Sequence, residues 1–313
     1  MATADGVLDR PNLRTSTPSP IARRTSRCVV CGETSQQVVL REGVYSGHRC
    51  SCGTVYTSPL PAEGEIDFTH DAHPDEFYSC SADYKARWLA RACPPGRLLE
   101  VGCGNGSFLV AARQRGFDVS GLELHAGRAA SVVRRHGIEV RSEFLDETTW
   151  PRGSFDVVYH CDMLSHFRDP VGSLQAMTDL LRPNGQLCFE AGLLGGISAV
   201  WYRLLRRVGL EHHLWLYSES SLRRLLESAG LEVVQSQHFG LLPYIGVGRA
   251  AALARKLISG SLNATRTQLG SRAARSVDAA YYQFRHWLRY PVGALSPKIG
   301  PQTVLLVARP VAC

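Results

Sequence analysis

From residue 97 onward, short apolar runs alternate with longer stretches whose apolar residues recur every three or four positions. Short apolar runs between turn residues are typical of buried strands, and the longer spacing is typical of amphipathic helices, as in SFLVAARQRG and SESSLRRLLESAG. Strands that alternate with helices predict an α/β fold with a mainly parallel sheet covered on both faces. The predicted strands are residues 98–102, 119–123, 139–141, 155–160, 186–190, 232–235 and 303–308.

Three further segments depart from this alternation. Residues 1–27 are rich in Ser, Thr, Pro and Arg without periodicity, which predicts a disordered arm. The stretch EFYSCSADYKARWLARAC predicts a helix that ends before Pro94. An insertion at about 239–300 contains two basic amphipathic stretches, GRAAALARKLIS and AARSVDAAYYQFRHWLRY. Together with GISAVWYRLLRRVGL at 195–209, this insertion is predicted to form a helical lid over the site.

Composition limits the function only broadly. The chain has 313 residues, 44% of them hydrophobic, and a formal charge of +7, which suits one large domain with a small appendage. The positive charge fits an anionic substrate, a membrane surface or nucleic acid without choosing among them. The opening residues lack the apolar core of a signal peptide, and no uncharged apolar run reaches membrane-spanning length. We therefore expect a cytoplasmic protein whose ten cysteines are thiols or metal ligands.

Three glycines follow the first predicted strand in LLEVGCGNGSFL, at Gly102, Gly104 and Gly106. Ligands of α/β sheets bind beyond the carboxyl ends of the strands, and a glycine turn there allows close approach to the backbone. The spacing is G-x-G-x-G, whereas the dinucleotide fingerprint is G-x-G-x-x-G, which counts against an NAD-dependent enzyme. A nucleotide-like ligand other than NAD is therefore expected.

Polar and aromatic residues follow the next strands in order. Glu123 ends the second strand, where a carboxylate can accept hydrogen bonds from both hydroxyls of a ribose. Glu143 and Phe144 follow the third strand, where an adenine ring could be flanked. Asp162 follows the fourth strand in HCDMLSHF.

This ordered set resembles the class I S-adenosylmethionine-dependent methyltransferases, specifically the small-molecule branch related to ubiquinone biosynthesis, over residues 75–310. The resemblance implies a Rossmann-like seven-stranded sheet whose last strand is antiparallel. It implies that Glu123 binds the ribose of S-adenosylmethionine, that Glu100 lies near its amino group, and that Asp162 faces cofactor or substrate. It also implies that the methionine part is held by the loop of Gly102, Gly104, Asn105 and Gly106.

His166 is the candidate catalytic base, because it follows the fourth strand where family members often have Leu-Glu-His. A histidine with a pKa near neutrality could take a proton from an acceptor hydroxyl. The alternative is that His166 bonds a loop carbonyl and shapes the pocket. Ser165 replaces a glutamate that helps to hold a metal in some relatives, which argues against catalytic magnesium.

Two cysteine pairs in segment 28–60 predict a structural zinc site. CVVCG supplies Cys28 and Cys31, and HRCSCG supplies Cys50 and Cys52. Paired thiolates on tight turns suit tetrahedral Zn²⁺, and the segment resembles the zinc-ribbon-like element ahead of some sugar methyltransferases. Because the second pair is one residue short, His48 is an alternative ligand to Cys50, and free thiols are the alternative to any metal.

These features favour methyl transfer to a small-molecule hydroxyl, on a sugar, a glycolipid or a natural-product scaffold. The alternative is a zinc-ribbon protein that binds nucleic acid or modifies RNA. Because HCDML replaces the N-P-P-Y type motif of base amino methylation, no nucleic-acid partner is expected. Peripheral contact with the inner face of the membrane is compatible with a lipid-linked substrate.

Overall fold

The computed structural model describes residues 26–62, 75–205, 207–264 and 268–311. Most of the predicted arm at 1–27 lies outside these ranges. Ahead of the main sheet, the chain forms three antiparallel strands: β1 (Val38–Glu42), β2 (Tyr45–Arg49) and β3 (Val55–Ser58). Helix α1 (Asp75–Ala92) follows, and it ends before Pro94 as the sequence predicts.

Seven strands form the main sheet, and every predicted strand is present. The strands are β4 (Arg97–Val101), β5 (Asp118–Leu122), β6 (Glu139–Arg141), β7 (Phe155–Cys161), β8 (Leu181–Leu193), β10 (Leu231–Gly240) and β11 (Gln302–Pro310). Their spatial order is β10-β11-β8-β7-β4-β5-β6, and β11 runs antiparallel to both β8 and β10. The predicted fold, with its antiparallel last strand, is confirmed.

Helices connect the strands and begin at recognisable caps. The Asp169 side chain accepts a hydrogen bond from the Gly172 amide at 2.9 Å and so caps the helix that begins at Pro170. Pro170 lies in the first turn of this helix, a position that suits proline. Ser218 and Ser221 form a reciprocal capping box. The helices of this part are α2 (Ser107–Arg113), α3 (Ala126–His136), α4 (Pro170–Asp179), α5 (Ala199–Leu205) and α6 (Glu219–Ser228).

The sheet separates two apolar cores. On one face, Leu98, Leu109 and Tyr159 pack with α1 and α2. On the other face, Leu99 and Phe189 pack with α4 and α6, and this core also includes Tyr56 of β3. Because the front segment shares a core with the main sheet, it is an integral part of this fold.

A short strand, β9 (Trp215–Leu216), joins the front segment to the rest of the chain. It pairs antiparallel with β3, with Val55 opposite Leu216 and Tyr56 opposite Trp215. The Glu42 carboxylate also accepts hydrogen bonds at 2.8 Å from the amides of Gly209 and Leu210. Residues 208–217 are therefore fixed by contacts with the front segment.

The predicted insertion is helical. It consists of α7 (Leu242–Ala264), α8 (Gln268–Trp287), one π-helical turn (Leu288–Val292) and α9 (Gly293–Leu295), all between β10 and β11. Helices α7 and α8 pack against each other, and α8 packs against α1. The insertion thus packs against α1 through α8.

Candidate active site

A cavity of about 1150 Å³ opens at the carboxyl ends of β4, β5 and β7. None of its described lining residues comes from 195–209 or 239–300. The described residues of the predicted lid therefore do not line the cavity in this structure, and α8 of the insertion packs against α1 instead. The predicted site residues that line the cavity are Glu100, Gly102, Gly104, Asn105, Glu123, Glu143, Phe144 and His166.

Gly106 and Asp162 are not among the lining residues. Gly106 caps α2 with φ of 76°, and a Cβ there would lie 2.7 Å from Val132. Asp162 has φ of 55° and its Oδ1 accepts from the Gly192 amide at 3.3 Å. The structure thus gives Gly106 a packing role, and it turns the Asp162 side chain towards β8 rather than towards the cavity.

The glycine loop leaves bare backbone facing the cavity. Gly104 has φ of 54°, in the left-handed region that favours glycine, and a Cβ at this position would meet no atom within 4 Å. At Gly102, which has φ of 73°, a Cβ would lie 2.8 Å from the Met163 sulfur. Gly104 therefore adjoins open cavity, whereas Gly102 also permits the close approach of the loop after β7.

Glu123 connects this loop to the neighbouring strand. Its Oε2 accepts a hydrogen bond from the Gly104 amide and its Oε1 one from the His125 amide, each at 2.9 Å. The side chain is buried and lines the cavity. Each carboxylate oxygen has two lone pairs, so each can still accept a hydroxyl hydrogen bond from a ligand.

Glu100 and Tyr159 place polar atoms without partners in the cavity wall. Glu100 Oε2 and the Tyr159 hydroxyl are buried and form no hydrogen bond. Burial raises the pKa of Glu100 well above its ordinary value, although Lys85 opposes the shift. A cationic group that entered the cavity would favour the ionised carboxylate. This arrangement fits the amino group of an amino-acid ligand such as S-adenosylmethionine.

His166 lines the same cavity from the loop that follows β7. Its Nδ1 donates a hydrogen bond to the His212 carbonyl at 2.8 Å, since a carbonyl can only accept. The proton on Nδ1 makes Nε2 the basic nitrogen. Burial, reinforced by the neighbouring His213, lowers the pKa of His166 to about 4. The ring is therefore neutral at physiological pH. Its bond to a loop carbonyl matches the alternative interpretation drawn from the sequence, whereas its pKa lies below the near-neutral value expected of the candidate base.

Lys85 is a cavity residue that sequence reasoning missed. Its ammonium lies 2.9 Å from the Cys161 sulfur and 3.3 Å from Glu190 Oε2. Glu190 also accepts from Arg289 at 2.6 Å and from the Tyr290 hydroxyl at 2.8 Å. The helical spacing of α1 could have indicated that Lys85 is buried, because it places Lys85 on the same face as the buried Ala82 and Leu89.

Glu190 is ionised in this network. Burial by itself would raise its pKa, but Lys85 and Arg289 hold the pKa of the carboxyl below its ordinary value. Arg289 also lies 3.1 Å from Thr303 Oγ1 on β11. The base of the insertion is therefore connected to the cavity wall through one buried carboxylate.

The four cysteines of the front segment come together, although the second pair is one residue short. Their sulfur atoms all lie within 4.8 Å of one another. Cys31 and Cys50 sulfurs are 3.0 Å apart, and those of Cys28 and Cys52 are 3.5 Å apart. The alternative ligand His48 is not part of this group of four: its Nδ1 donates a hydrogen bond to the Ser35 carbonyl at 2.8 Å, and its ring stacks on Tyr56.

Comparison with known proteins agrees with this geometry. A family profile described as a methyltransferase domain matches residues 73–236. Over 159 residues the chain is 33% identical to a ubiquinone biosynthesis O-methyltransferase of Bordetella avium (strain 197N), covering 46% of this chain and 65% of that protein. A protein of the same name from Ralstonia nicotianae (strain ATCC BAA-1114 / GMI1000) is 29% identical over 175 residues, which is 51% of this chain and 73% of that protein.

The first of these alignments span between about half and two thirds of the relatives' own lengths. Among solved structures, a protein described as a sarcosine dimethylglycine methyltransferase from Galdieria sulphuraria has a TM-score of 0.50 at 16% identity. That likeness covers 73% of this chain and 84% of the other, and it shows the fold. Within the described ranges, no helix combines the length and hydropathy needed to span a bilayer. By its profile match and its sheet, the chain belongs to the methyltransferase domain family, as a class I S-adenosylmethionine-dependent methyltransferase.

Proposed function

We propose that this protein transfers a methyl group from S-adenosylmethionine to a hydroxyl oxygen of a small molecule. The observation that carries the proposal is that one cavity is lined by Glu100, Gly104 and Glu123 and also by His166. We assign the first three residues to the cofactor and His166 to the acceptor. The relatives' name, O-methyltransferase, supports oxygen as the acceptor atom. The acceptor classes that we propose are a sugar, a glycolipid or a natural-product scaffold. Nucleic acid is the less favoured alternative.

When bound, S-adenosylmethionine supplies an electrophilic methyl group on a sulfonium. Glu123 binds the ribose hydroxyls, and the Glu100 carboxylate binds the amino group. Glu143 and Phe144 flank the base. Asn105 completes the loop beside the methionine part. These residues fix the donor in one orientation, and orientation is the main contribution a protein makes to an in-line displacement.

His166 acts on the acceptor. The acceptor oxygen forms a bond to the methyl carbon as the carbon–sulfur bond breaks, and the hydroxyl proton must leave. The basic Nε2 accepts a hydrogen bond from that hydroxyl, and it receives the proton as the oxygen becomes positively charged. Because burial keeps the ring neutral, His166 does not place a second positive charge beside the sulfonium.

Ligand titration followed by an acceptor panel tests this function. Calorimetry with S-adenosylmethionine is expected to show one site per chain, and NAD is expected to give no heat. Labelled cofactor is then incubated with phenols, nucleotide sugars and glycolipids, and the products are analysed for O-methyl groups. Binding of NAD but not of S-adenosylmethionine would overturn the proposal.

We also propose that Cys28, Cys31, Cys50 and Cys52 bind one structural Zn²⁺. The donor set is suited to this ion, since four thiolate-forming side chains whose sulfur atoms all lie within 4.8 Å of one another match a closed tetrahedral site. Such a site has no open position for chemistry. Its effect on this chain would be to fix the turns that flank β2 and β3.

Metal analysis tests the zinc proposal directly. Purified protein is expected to contain one zinc per chain, and Cys31→Ser is expected to lose it. Cys80→Ser, which changes a cysteine of α1 outside the cluster, serves as the matched control and retains the metal. Metal-free wild-type protein with an unchanged melting temperature would contradict the proposal.

A further inference from the structure

The net positive charge of this chain comes from its C-terminal quarter. Residues 233–313 contain ten Lys or Arg and a single acid, Asp278, which gives this segment a formal charge of +9. The remaining residues carry a formal charge of −2, because the whole chain is +7. Asp278 is itself paired with Arg255 at 3.3 Å. Arg289 and Arg309 pair with Glu190 and Glu232, which lie outside this segment. The excess of positive charge is therefore carried by the remaining Lys and Arg residues of the segment.

The outer face of α7 is apolar. Of the ten exposed side chains described between 242 and 258, eight are aliphatic or glycine, and the other two are cations. Leu253 and Leu257 are 63% and 66% exposed, and they lie one helical turn apart. The exposed aliphatic and glycine positions are Leu242, Gly246, Val247, Ala250, Leu253, Ala254, Leu257 and Ile258.

The two exposed cations, Arg249 and Lys256, lie along one edge of this face. They are seven residues apart, which is about two turns of helix. In contrast, Arg255 points inward and lies 4.9 Å from the ring centre of Tyr281 on α8. The helix therefore has a packed face towards α8 and an apolar face bordered by cations towards solvent.

The apolar surface continues past the start of α7. The Leu241 amide bonds the Pro301 carbonyl at 3.0 Å, which brings residues 299–301 next to this turn. Ile299 is 67% exposed, and Val200, on the α5 helix that packs at Gly300, is 60% exposed. Neighbouring exposed aliphatic side chains on a folded domain are typical of a contact with another apolar phase.

We propose that α7 docks this protein onto an anionic lipid bilayer, with Leu253 and Leu257 in the acyl–headgroup boundary and Arg249 and Lys256 at the phosphates. An aliphatic face bordered by cations is the pattern of an interfacial helix, and its cations complement acidic headgroups. Nucleic acid offers phosphates to the cations but no partner for exposed leucines. A second copy would bring the same cations together without acids to neutralise them.

Docking would orient the active site. Helix α8 packs on α1, and Arg289 contacts Glu190, whose other partner is the cavity residue Lys85. The insertion is therefore connected to the cavity wall by helix packing and by this pair of salt bridges. A membrane-anchored acceptor is the substrate class that benefits, and this last step rests on the proposed function.

Vesicle sedimentation with the full chain tests the docking. Wild-type protein is expected to bind vesicles of phosphatidylcholine mixed with phosphatidylglycerol, and to bind phosphatidylcholine alone at least about tenfold more weakly because the cationic contribution is lost. The double variant Leu253→Asp/Leu257→Asp is expected to lower binding to the mixed vesicles by about tenfold or more. Arg249→Glu/Lys256→Glu is expected to abolish the preference for the anionic lipid.

Val44→Asp is the matched control, since Val44 is 61% exposed at the turn between β1 and β2, far along the chain from α7. It is expected to bind vesicles as wild type does. Circular dichroism and a titration with S-adenosylmethionine verify that the α7 variants remain folded. Cofactor binding is measured separately from vesicle binding. A wild-type protein that binds vesicles but does not bind S-adenosylmethionine would therefore refute only the proposed function.

Three results would overturn the docking. The first is equal sedimentation of wild type and both α7 variants with mixed vesicles. The second is no sedimentation of wild type, together with a dimer in analytical ultracentrifugation that Leu253→Asp/Leu257→Asp dissociates. The third is binding to bulk RNA that survives the leucine substitutions while vesicle binding is absent.

Discussion

Replacing Glu123 with alanine is expected to weaken the binding of S-adenosylmethionine selectively. The Glu123 carboxylate accepts the amides of Gly104 and His125, each at 2.9 Å, and its remaining lone pairs face the cavity. Alanine removes the proposed acceptor for both ribose hydroxyls. It also leaves the Gly104 amide without a partner inside the site.

The magnitude follows from hydrogen bonds to a charged acceptor. Such bonds contribute about 1.5–3 kcal/mol each, but water replaces part of the loss at a cavity that remains open. The expected cost is therefore about 1–3 kcal/mol of binding free energy. This corresponds to an increase in Kd of about 5- to 150-fold.

Calorimetric titration of the purified variants measures this change. Glu139→Ala is the matched control, because Glu139 lies on the adjacent β6, is paired with Arg141 at 2.8 Å and does not line the cavity. Its Kd is expected to equal that of wild type. Thermal melting shows whether the Glu123 variant is folded at the temperature of the titration.

An unchanged Kd for Glu123→Ala in a folded protein would refute the assignment of the ribose site. The variant Glu123→Gln sharpens the test, since its amide oxygen can still accept one backbone hydrogen bond. Its Kd is expected to lie between those of wild type and Glu123→Ala. A larger loss for glutamine than for alanine would contradict the hydrogen-bonding argument.

Three further predictions concern groups away from the ribose. Removing zinc by chelation is expected to lower kcat and to leave the calorimetric Kd for the cofactor unchanged. The reason is that β3 pairs with β9, which lies close in sequence to the His212 carbonyl that orients His166. A changed Kd would contradict this expectation. Because the pKa of His166 is lowered to about 4, the folded protein binds fewer protons than the unfolded chain between about pH 6.5 and pH 4. The free energy of unfolding is therefore expected to fall as the pH drops through this range. In denaturant titrations, His166→Gln is expected to reduce this dependence of the unfolding free energy on pH. Glu190→Ala is expected to destabilise the fold by about 3–5 kcal/mol, since it leaves Lys85 and Arg289 buried without a counter-charge, and an unchanged melting temperature would show that they have other partners.

Local patterns in the sequence determined most of the fold. All seven strands of the main sheet lie where apolar runs predict them, although β8 extends well beyond the predicted 186–190. The boundary differs because β8 pairs with β7 on one side and with β11 on the other. The spacing of apolar residues shows which side of a segment is buried, and so predicts that a strand or helix is present. It predicts less well where that strand or helix ends.

The sequence likewise indicated cavity residues at the carboxyl ends of strands, such as Glu100 near the end of β4, Gly104 in the loop after β4 and Glu123 directly after β5. Only the tertiary structure showed that Asp162 turns away from the cavity and that the insertion packs against α1 and contributes no described residue to the cavity lining. The Asp162 orientation depends on a contact with Gly192 on the next strand, thirty residues away.

Contacts between distant segments were beyond the reach of sequence patterns. Lys85 and Glu190 are paired across more than a hundred positions, and Arg289 reaches Glu190 from the far end of the insertion. The pairing of β3 with β9 similarly joins Val55 to Leu216. Apolar spacing determines which side of an element is buried, but the partner on that side is decided only when all the elements pack together.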